Sequence, residues 1–446
     1  MKKILRWLLV PLILIALLLS VVIGINCFDE SLNDNAATMG GPRAAGVAEA
    51  QNGYIAVIAM GAGDGSDGMA YAKAWLDEAR MAAREHRTEN KLEVKRAERP
   101  ALCDAAQNAC LSAVQDKADS ISVQLDAYRE DLTRYETLIG YQAYEEILDY
   151  RVGMASQFPR YISMIAAQRA WIVRAALAAE AGNLEDALVA VERDIAFQRV
   201  MLAGSRTLIG RMVAAANYTR DLAFVADLLQ TSLIDLKPFA PRLKALLKPI
   251  DPAALNMDVL IEAEFGAIKQ ALTMPAVASS VGQGAFYSAI GVRLLYKPNA
   301  TVNAAHAYYM RTRDLLRKPP AALLRDSAAQ AAALEDMKFW DYFVNPVGKV
   351  LTRIAMPSFA SYALRLHDLD AYNRLLGLAA QIIAADVPKE GIADFVVKSD
   401  ARFFDPYSGK PMAWDGATGQ LSFKASDALA KRKLFGMENG RVFLRM

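Results

Sequence analysis

The strongest hydrophobic pattern lies at the start of the chain, where an uncharged, mostly apolar run extends from Trp7 to Ile25. At 1.5 Å per residue, a helix over this run is roughly 29 Å long, which matches the roughly 30 Å hydrocarbon core of a bilayer. Basic residues precede the run, and the first charges behind it are the acidic Asp29 and Glu30. This charge bias predicts a cytoplasmic N-terminus. The pattern therefore predicts a single-pass signal anchor over residues 1–28, with the bulk of the chain outside the cytoplasm.

Two other interpretations of this segment stay open. A cleaved signal peptide has a shorter apolar region, about 7 to 15 residues, and ends at an A-x-A-like site, which does not closely follow this run. A lipoprotein signal ends at a cysteine that becomes lipidated, and Cys27 has a suitable position. Asn26, however, stands where such signals carry Gly, Ala or Ser. The length of the run and its flanking charges favour the uncleaved anchor.

Helical periodicity dominates the rest of the chain, because apolar residues recur at spacings of three and four. Long amphipathic helices are predicted from Met69 to about Leu92 and from Asp104 to about Leu138. Further helices are predicted over residues 160–181, 184–202, 207–230, 238–247, 253–272, 303–316 and 362–384. Residues 29–50, rich in Gly, Ala and Asn, are expected to be a linker that lets the folded part stand off the membrane. The predicted fold class is mainly α, with an exported helical domain over residues 51–400.

One helical hairpin has a recognisable pattern. The spacing of a tetratricopeptide helix pair is matched by Trp171, Ala175, Gly182, Ala187 and Val191. Charged residues replace the motif's Leu, Ala and Pro at Arg174, Asp194 and Arg199. The chain has no second copy in register, and a solenoid needs about three repeats to bury its core. The pattern therefore predicts a single, partly tetratricopeptide-like hairpin that turns at Gly182 and Asn183.

The last segment, residues 401–446, changes from helical to β character. Turn-forming residues fill the run from Asp405 to Met412, and short strands are predicted at residues 413–414, 420–423 and 440–444. Asn439 and Gly440 form a hairpin signal between two strands. Strands of this length are stable only with support from other elements. We therefore predict a small β-hairpin element that packs against the helices.

Composition and cysteine content narrow the classes of function. Hydrophobic residues make up 54% of the chain and charged residues 22%, which fits a folded protein with an ample core. The net charge of +2 gives no general attraction to nucleic acid, so no nucleic-acid partner is predicted. Cys103 and Cys110 could pair in an oxidising compartment. On one continuous helix their Cα atoms would be about 10 Å apart, so a disulfide requires non-helical chain between them or a helix that starts after Cys103. Two unpaired buried thiols are the alternative.

Motifs for cofactors, metals and catalysis are weak. Residues 63–68 match G-x-G-x-x-G, but Asp64 and Asp67 would repel a pyrophosphate, and the second strand of a nucleotide-binding unit is missing. Asp67 is interpreted as a helix N-cap instead. The three histidines have no paired ligand spacing, so neither a metal nor a cofactor is predicted. Glu264 is the candidate for a catalytic acid, although a lone acid of this kind is more often an ion-paired structural residue.

A polar cluster surrounds the start of one predicted helix. Pro298 stops the preceding segment, and the residues after it offer capping side chains, so the simplest interpretation is an elaborate helix N-cap. In the alternative interpretation, the cluster lines a polar cleft that would be formed by Asn299, Thr301, Asn303 and Arg311.

Five features of the chain together carry a resemblance to a family of proteins. They are the N-terminal anchor, the stretch from Asn52 to Gly61, the pair Cys103 and Cys110, the run from Pro298 to Asn303, and the run from Asp405 to Met412. Together they resemble an uncharacterised family of proteobacterial, inner-membrane-anchored, mostly helical proteins. The resemblance implies that the protein is located at the inner membrane and has a periplasmic helical domain. It leaves the activity unknown.

Three classes of function remain. A structural or interaction protein, acting as a scaffold of the cell envelope, is favoured because helical hairpins present broad binding faces. An envelope enzyme acting on peptidoglycan or polysaccharide, with Glu264 as its acid, is the second. A small-ligand-binding module with a cleft near Asn299 and Arg311 is the third. The expected partners are the membrane, through the N-terminal helix, and proteins of the envelope.

Overall fold

The computed structural model describes residues 2–41, 46–85, 87, 90–92, 94, 96–115, 117–147, 157–231, 235–273, 277, 292, 294–335, 343–355, 358–427 and 436–446. Over these residues the chain is mostly helical, with one small antiparallel sheet near the C-terminus. The predicted fold class is therefore confirmed.

The helices are numbered here in chain order over the described residues. They are α1 (Lys2–Asn26), α2 (Asp34–Thr38), α3 (Gly53–Ala59), α4 (Gly68–Arg84), α5 (Cys110–Gln115), α6 (Ala118–Asp126), α7 (Arg129–Leu138), α8 (Tyr161–Glu180), α9 (Leu184–Gly204), α10 (Leu208–Gln230), α11 (Ala240–Leu246), α12 (Pro252–Leu255), α13 (Asp258–Ala271), α14 (Pro298–Leu316), α15 (Pro320–Glu335), α16 (Pro346–Ala355), α17 (Phe359–Ala384) and α18 (Ile392–Lys398). The strands are β1 (Ala413–Asp415), β2 (Gln420–Lys424), β3 (Met437–Glu438) and β4 (Arg441–Arg445).

The centre of the body is built from α8, α9, α10 and α17. Helices α8 and α9 form the predicted hairpin, and α10 packs against both α9 and α17. The indole Nε1 of Trp171 in α8 donates to the carbonyl of Ala190 in α9 at 2.9 Å, which fixes the two helices in register. Gly182 at the turn has φ +83°, a conformation that favours glycine because a Cβ would clash. The single helical hairpin is confirmed.

The stretch predicted as one long helix from Asp104 to Leu138 is divided into three short helices. Helices α5, α6 and α7 are joined at residues with non-helical backbone angles, Lys117 and Tyr128. Each of the three packs against α8. Amphipathic periodicity continues through the breaks, which is why the sequence pattern does not reveal them.

The C-terminal sheet has the strand order β1-β2-β4-β3, and every neighbouring pair is antiparallel. Asn439 and Gly440 both have positive φ, at 50° and 72°, as a tight hairpin between β3 and β4 requires. Leu421, Val442 and Leu444 are fully buried where β2 and β4 pack against α17. The predicted small β element is confirmed, with β3 as an additional strand.

The G-x-G-x-x-G stretch lies between two helices. Helix α3 precedes it, where a nucleotide-binding unit would have a strand. Asp67 caps α4, since its Oδ1 accepts from the backbone N–H groups of Met69 and Ala70 at 2.8 and 3.1 Å. Asp64 forms an ion pair with Arg99 at 2.6 Å. The N-cap interpretation of Asp67 is confirmed, and the loop serves the packing of α3 and α4.

Candidate functional site

The end of α1 is fixed to the helical body by two asparagines. Nδ2 of Asn26, the last residue of α1, donates to the carbonyl of Phe343, and its Oδ1 accepts from the backbone N–H of Asn345, both at 2.7 Å. Asn345 Nδ2 donates to Thr301 Oγ1 at 2.9 Å. Asn26 and Asn345 are buried, so these hydrogen bonds are shielded from water. The C-terminal end of α1 is therefore attached to the body at residues 343–345.

The segment after α1 lies across the first turn of α14. The carboxylate of Asp29 accepts from the backbone N–H groups of Asn299 and Ala300 at 2.7 and 3.1 Å. Asn303 Nδ2 donates to Glu30 Oε1 at 2.6 Å. A carboxylate is favourable at this position because the first N–H groups of a helix have no partner within it and the helix dipole is positive there. The polar groups of this turn are therefore already hydrogen-bonded to the segment that follows α1.

The four residues of the predicted polar cleft do not line one cleft, which corrects that prediction. Asn299 and Asn303 hold the segment after α1. Thr301 is buried and donates to the carbonyl of Lys297 at 2.7 Å. Arg311 is exposed and lies roughly 18 Å further along α14 than Asn299. The capping interpretation fits the structure, with the capping carboxylate supplied by Asp29.

The start of the predicted linker is attached to the body, which corrects the expectation that it stands off. Lys269 Nζ donates to the carbonyls of Ala37 and Met39 at 2.9 and 2.7 Å. A Cβ placed on Gly40 would lie 2.4 Å from Gly266 Cα, so the two backbones touch at a glycine pair. The small residues that indicated flexibility instead permit close packing. Residues 42–45 lie outside the described part of the chain.

Glu264 lies at the N-terminus of α10. Its Oε1 accepts from the backbone N–H of Leu208, the first residue of that helix, at 2.9 Å. Glu146 accepts from the N–H groups of Arg206 and Thr207 at the same helix end, at 2.7 and 2.6 Å. Burial raises the pKa of both Glu264 and Glu146, and the backbone hydrogen bonds oppose that rise. In this arrangement the two carboxyl groups cap a buried helix.

Cys103 and Cys110 lie at disulfide distance, with Cα atoms 5.7 Å apart. As predicted, the chain between them is not helical, because α5 begins at Cys110. The small loop that they close presents Asp104, whose carboxylate pairs with Arg169 at 2.7 Å and with Arg220 at 3.0 Å. The cysteine pair thus positions a carboxylate that holds two guanidinium groups.

These guanidinium groups line a cleft of about 540 Å³ between the Asp104 loop, α8, α10 and α17. We call it the arginine cleft, defined by Arg169, Arg220 and Arg365 with Asp104 and Asp368. Arg365 stacks on the ring of Tyr362, with its guanidinium carbon 4.8 Å from the ring centre. Among the described residues, the guanidinium of Arg365 has no hydrogen-bond or ion-pair partner, and its Nε is buried.

Asp368 forms no hydrogen bond with Arg365, because its oxygens accept from other groups. Its Oδ1 accepts from Tyr407 Oη and from the backbone N–H of Ser426, at 2.8 and 2.9 Å. Burial raises the pKa of Asp368, while these hydrogen bonds and the charge of Arg365 lower it. Positive charge is therefore in excess in the arginine cleft.

Behind the cleft, two fully buried aspartates form a carboxyl pair. Asp194 Oδ1 accepts from Tyr135 Oη and Gln198 Nε2, both at 2.7 Å, and Asp221 Oδ1 accepts from Gln168 Nε2 at 3.1 Å. Burial raises the pKa of both groups, and the charge of Asp194 raises the pKa of Asp221 further. Neither Oδ2 atom has a hydrogen-bond partner among the described residues. A buried pair of this kind favours binding of one proton, with the larger rise in pKa at Asp221.

A chain of hydrogen bonds joins the cleft to the carboxyl pair. Arg220 Nη1 donates to Asn217 Oδ1 at 2.7 Å and to Gln168 Oε1 at 3.4 Å. Gln168 then donates to Asp221. The wall of the arginine cleft is thus rigidly connected to the centre of the helical core.

Sequence reasoning identified none of the cleft or pair residues as a site. The signal available was Asp194, a charge where the tetratricopeptide pattern has alanine. Within the described residues, no group of three or more His, Cys, Asp or Glu side chains is placed to hold a metal ion.

Comparisons with family models, curated proteins and solved structures find no match to this chain. By length and composition alone, the described residues contain one helix that could cross a membrane, α8, and 61% of its apolar window is buried in the body. Val10–Asn26, the part of α1 with described side chains, is a shorter apolar helix by the same measure. Helix α8 is accounted for as a core helix, whereas the apolar surface of α1 remains to be explained.

Proposed function

We propose that the protein is a single-pass inner-membrane protein whose helical body lies in the periplasm, near the membrane surface, and acts as a scaffold of the cell envelope. The observation that supports this is the surface of α1, where apolar side chains such as Leu12, Leu14 and Leu17 are 63%, 61% and 57% exposed. Exposed apolar surface of this extent is rare on a monomer in water. A bilayer would bury it at a gain of about 25 cal/mol for each Å².

The position of α16 supports a body close to the bilayer. This helix begins directly after Asn345, which is bonded to the end of α1. Val347 and Leu351 pack on a small apolar cluster of the body. Val350 and Ile354 continue the same apolar stripe and are 49% and 79% exposed. The stripe is thus wider than the surface that the body covers, and a lipid surface beside α1 would cover the rest.

Two other features are consistent with a periplasmic location. A cysteine pair at disulfide distance is typical of an oxidising compartment such as the periplasm. The resemblance to proteobacterial membrane-anchored proteins belongs to this proposal as well. The enzyme alternative gains no support at Glu264, because that carboxyl caps α10.

The experiment uses Cys27, which is exposed and directly follows α1. Because Cys103 and Cys110 are paired, a membrane-impermeant maleimide added to cells with a permeabilised outer membrane should label the full-length protein at Cys27 alone. Membrane fractions should retain the protein after carbonate extraction. The intact mass of the labelled chain shows in the same sample whether the N-terminal segment is cleaved or Cys27 carries a lipid.

The control is Cys27→Ser, which should remain unlabelled. Labelling that requires disruption of the inner membrane would contradict the periplasmic orientation, and a mass lacking the first residues would contradict the uncleaved anchor. The scaffold role predicts that a crosslinker applied to the same cells joins the protein reproducibly to one envelope protein. A chain that stays uncrosslinked contradicts that role.

A further inference from the structure

We propose that the arginine cleft is a binding site for a small oxyanion, a molecule with a carboxylate or phosphate group and a short apolar part. The cleft volume of about 540 Å³ is in the range of small-molecule sites. Its lining combines the three guanidinium groups with the apolar side chains of Met212 and Leu369. This inference does not depend on the membrane anchor.

The charge of the arginine cleft selects for an anion. Asp104 is shared by Arg169 and Arg220, so one carboxylate serves two guanidinium groups. Arg365 has no carboxylate of its own, because Asp368 is hydrogen-bonded to Tyr407 and Ser426. The lining of the cleft thus holds three guanidinium groups and two carboxylates, an excess of one positive charge. The carboxyl pair behind the cleft acts on Arg220, so Arg365 is the guanidinium farther from that negative charge.

The unused donors of the cleft specify an oxyanion. Nε of Arg169 and Nε of Arg365 are both buried, and neither has a hydrogen-bond partner in the described structure. Buried donors without acceptors are costly, and most native structures satisfy them. The planar guanidinium matches carboxylate and phosphate oxygens better than it matches a halide, because it offers parallel N–H groups. Because the Nε atoms are buried, an oxyanion in the cleft would accept from the outer N–H groups of the Arg365 guanidinium, which have no hydrogen-bond partner among the described residues.

The apolar lining argues for an organic molecule. Met212 lies on α10 and Leu369 on α17, so the two helices that supply Arg220 and Arg365 also supply an apolar surface. An inorganic anion would leave that surface in contact with water. A short carbon chain attached to the anionic group would cover it.

The test uses the full-length protein in nanodiscs. Succinate and inorganic phosphate are titrated separately by calorimetry. The ionic strength is held constant within each titration, with chloride as the balancing ion, and the titrations are repeated at higher salt concentrations. We expect saturable binding of at least one of them, a raised Tm on saturation, and weaker affinity as the salt concentration rises. Stronger binding of succinate would indicate a carboxylate ligand, and stronger binding of phosphate would indicate a phosphorylated one.

Arg365→Gln is the decisive variant. The guanidinium makes no hydrogen bond or ion pair among the described residues, so the variant loses only its stacking on Tyr362 and its charge beside Asp368. The Tm of the unliganded protein should therefore change little, while the affinity falls roughly tenfold or more. Arg311→Gln removes the same charge from an exposed position on α14 and should bind as the parent does. The proposal is overturned if neither probe binds saturably at millimolar concentration, or if Arg365→Gln binds as tightly as Arg311→Gln.

Discussion

At the residue scale, Asp194 and Asp221 show how the core tolerates two acids side by side. Both are fully buried, and Tyr135, Gln198 and Gln168 supply neutral donors to them. Two ionised carboxylates in such a place would repel each other strongly, since no water screens them. One proton bound by the pair would remove that repulsion, so we predict that the stability of the core depends on keeping it.

This leads to a prediction for Asp221→Asn. Burial raises the pKa of both aspartates in the folded state, so the folded protein binds protons more tightly than the unfolded chain. The stabilisation is present at acid pH and is lost as the pH rises from the unfolded value of about 4 through the raised folded pKa. An asparagine amide can donate to Asp194 at any pH. The variant should therefore have a flatter dependence of unfolding free energy on pH.

Urea unfolding at about pH 5 and about pH 8 measures this effect, with the pH values chosen to lie above the unfolded carboxyl pKa. The parent should lose stability between the two, and Asp221→Asn should lose less and be the more stable protein at the higher pH. Asp126→Asn, at an exposed aspartate, serves as the control. An unchanged slope in Asp221→Asn would mean that the pair does not share a proton.

The sequence shows why the site residues were missed. Arg169, Arg220 and Arg365 come from three helices that are far apart in the chain, and each has the ordinary appearance of a charge on an amphipathic helix. Local spacing carries no information on how such helices face one another. Asp194 differs, because a charge on the inner side of a recognised hairpin is a local inconsistency that can be read directly.

At the element scale, the segment after α1 is held against α13 by a close backbone contact that only glycine permits. The backbones of Gly40 and Gly266 touch, and a Cβ on Gly266 would lie 2.5 Å from the carbonyl oxygen of Gly40. Gly266→Ala should therefore push this part of the segment off α13 and weaken the nearby bonds of Lys269. We expect amide hydrogen exchange in residues 34–41 to become at least several-fold faster.

Gly41→Ala is the matched control, because the nearest atom to its Cβ would be the carbonyl oxygen of Thr38, at 3.4 Å. That variant should exchange as the parent does. Equal protection in Gly266→Ala and the parent would show that the segment does not depend on the glycine contact.

The elements themselves were largely predictable. Helices α8, α9, α10 and α17 and strands β1, β2 and β4 follow from periodicity and turn residues, because each signal is local. The attachment of the predicted linker was not predictable, because Asp29 caps a helix that begins near residue 298. A Gly- and Ala-rich composition is equally compatible with a flexible spacer and with close backbone packing.

At the scale of the whole molecule, the proposed membrane contact involves α1 and α16 together. Asn26 and Asn345 join the two helices, so the body cannot swing freely about the end of α1. Ile354 is nine residues beyond Asn345, roughly 14 Å along α16, and is 79% exposed. Phe28, which is 80% exposed, follows α1 on the same part of the molecule.

The last prediction concerns the exposed stripe of α16. In a Cys27→Ser background, an environment-sensitive dye attached at Ile354→Cys should be quenched by spin-labelled lipid when the full chain is in nanodiscs. The same dye at Val123→Cys, on α6, should not be quenched, because α6 packs against α5 and α8 rather than near α1. Val350→Asp should reduce the quenching at position 354, since a charge weakens the apolar contact with lipid. Equal quenching at positions 354 and 123 would show that α16 faces water, and the anchor alone would then connect the protein to the membrane.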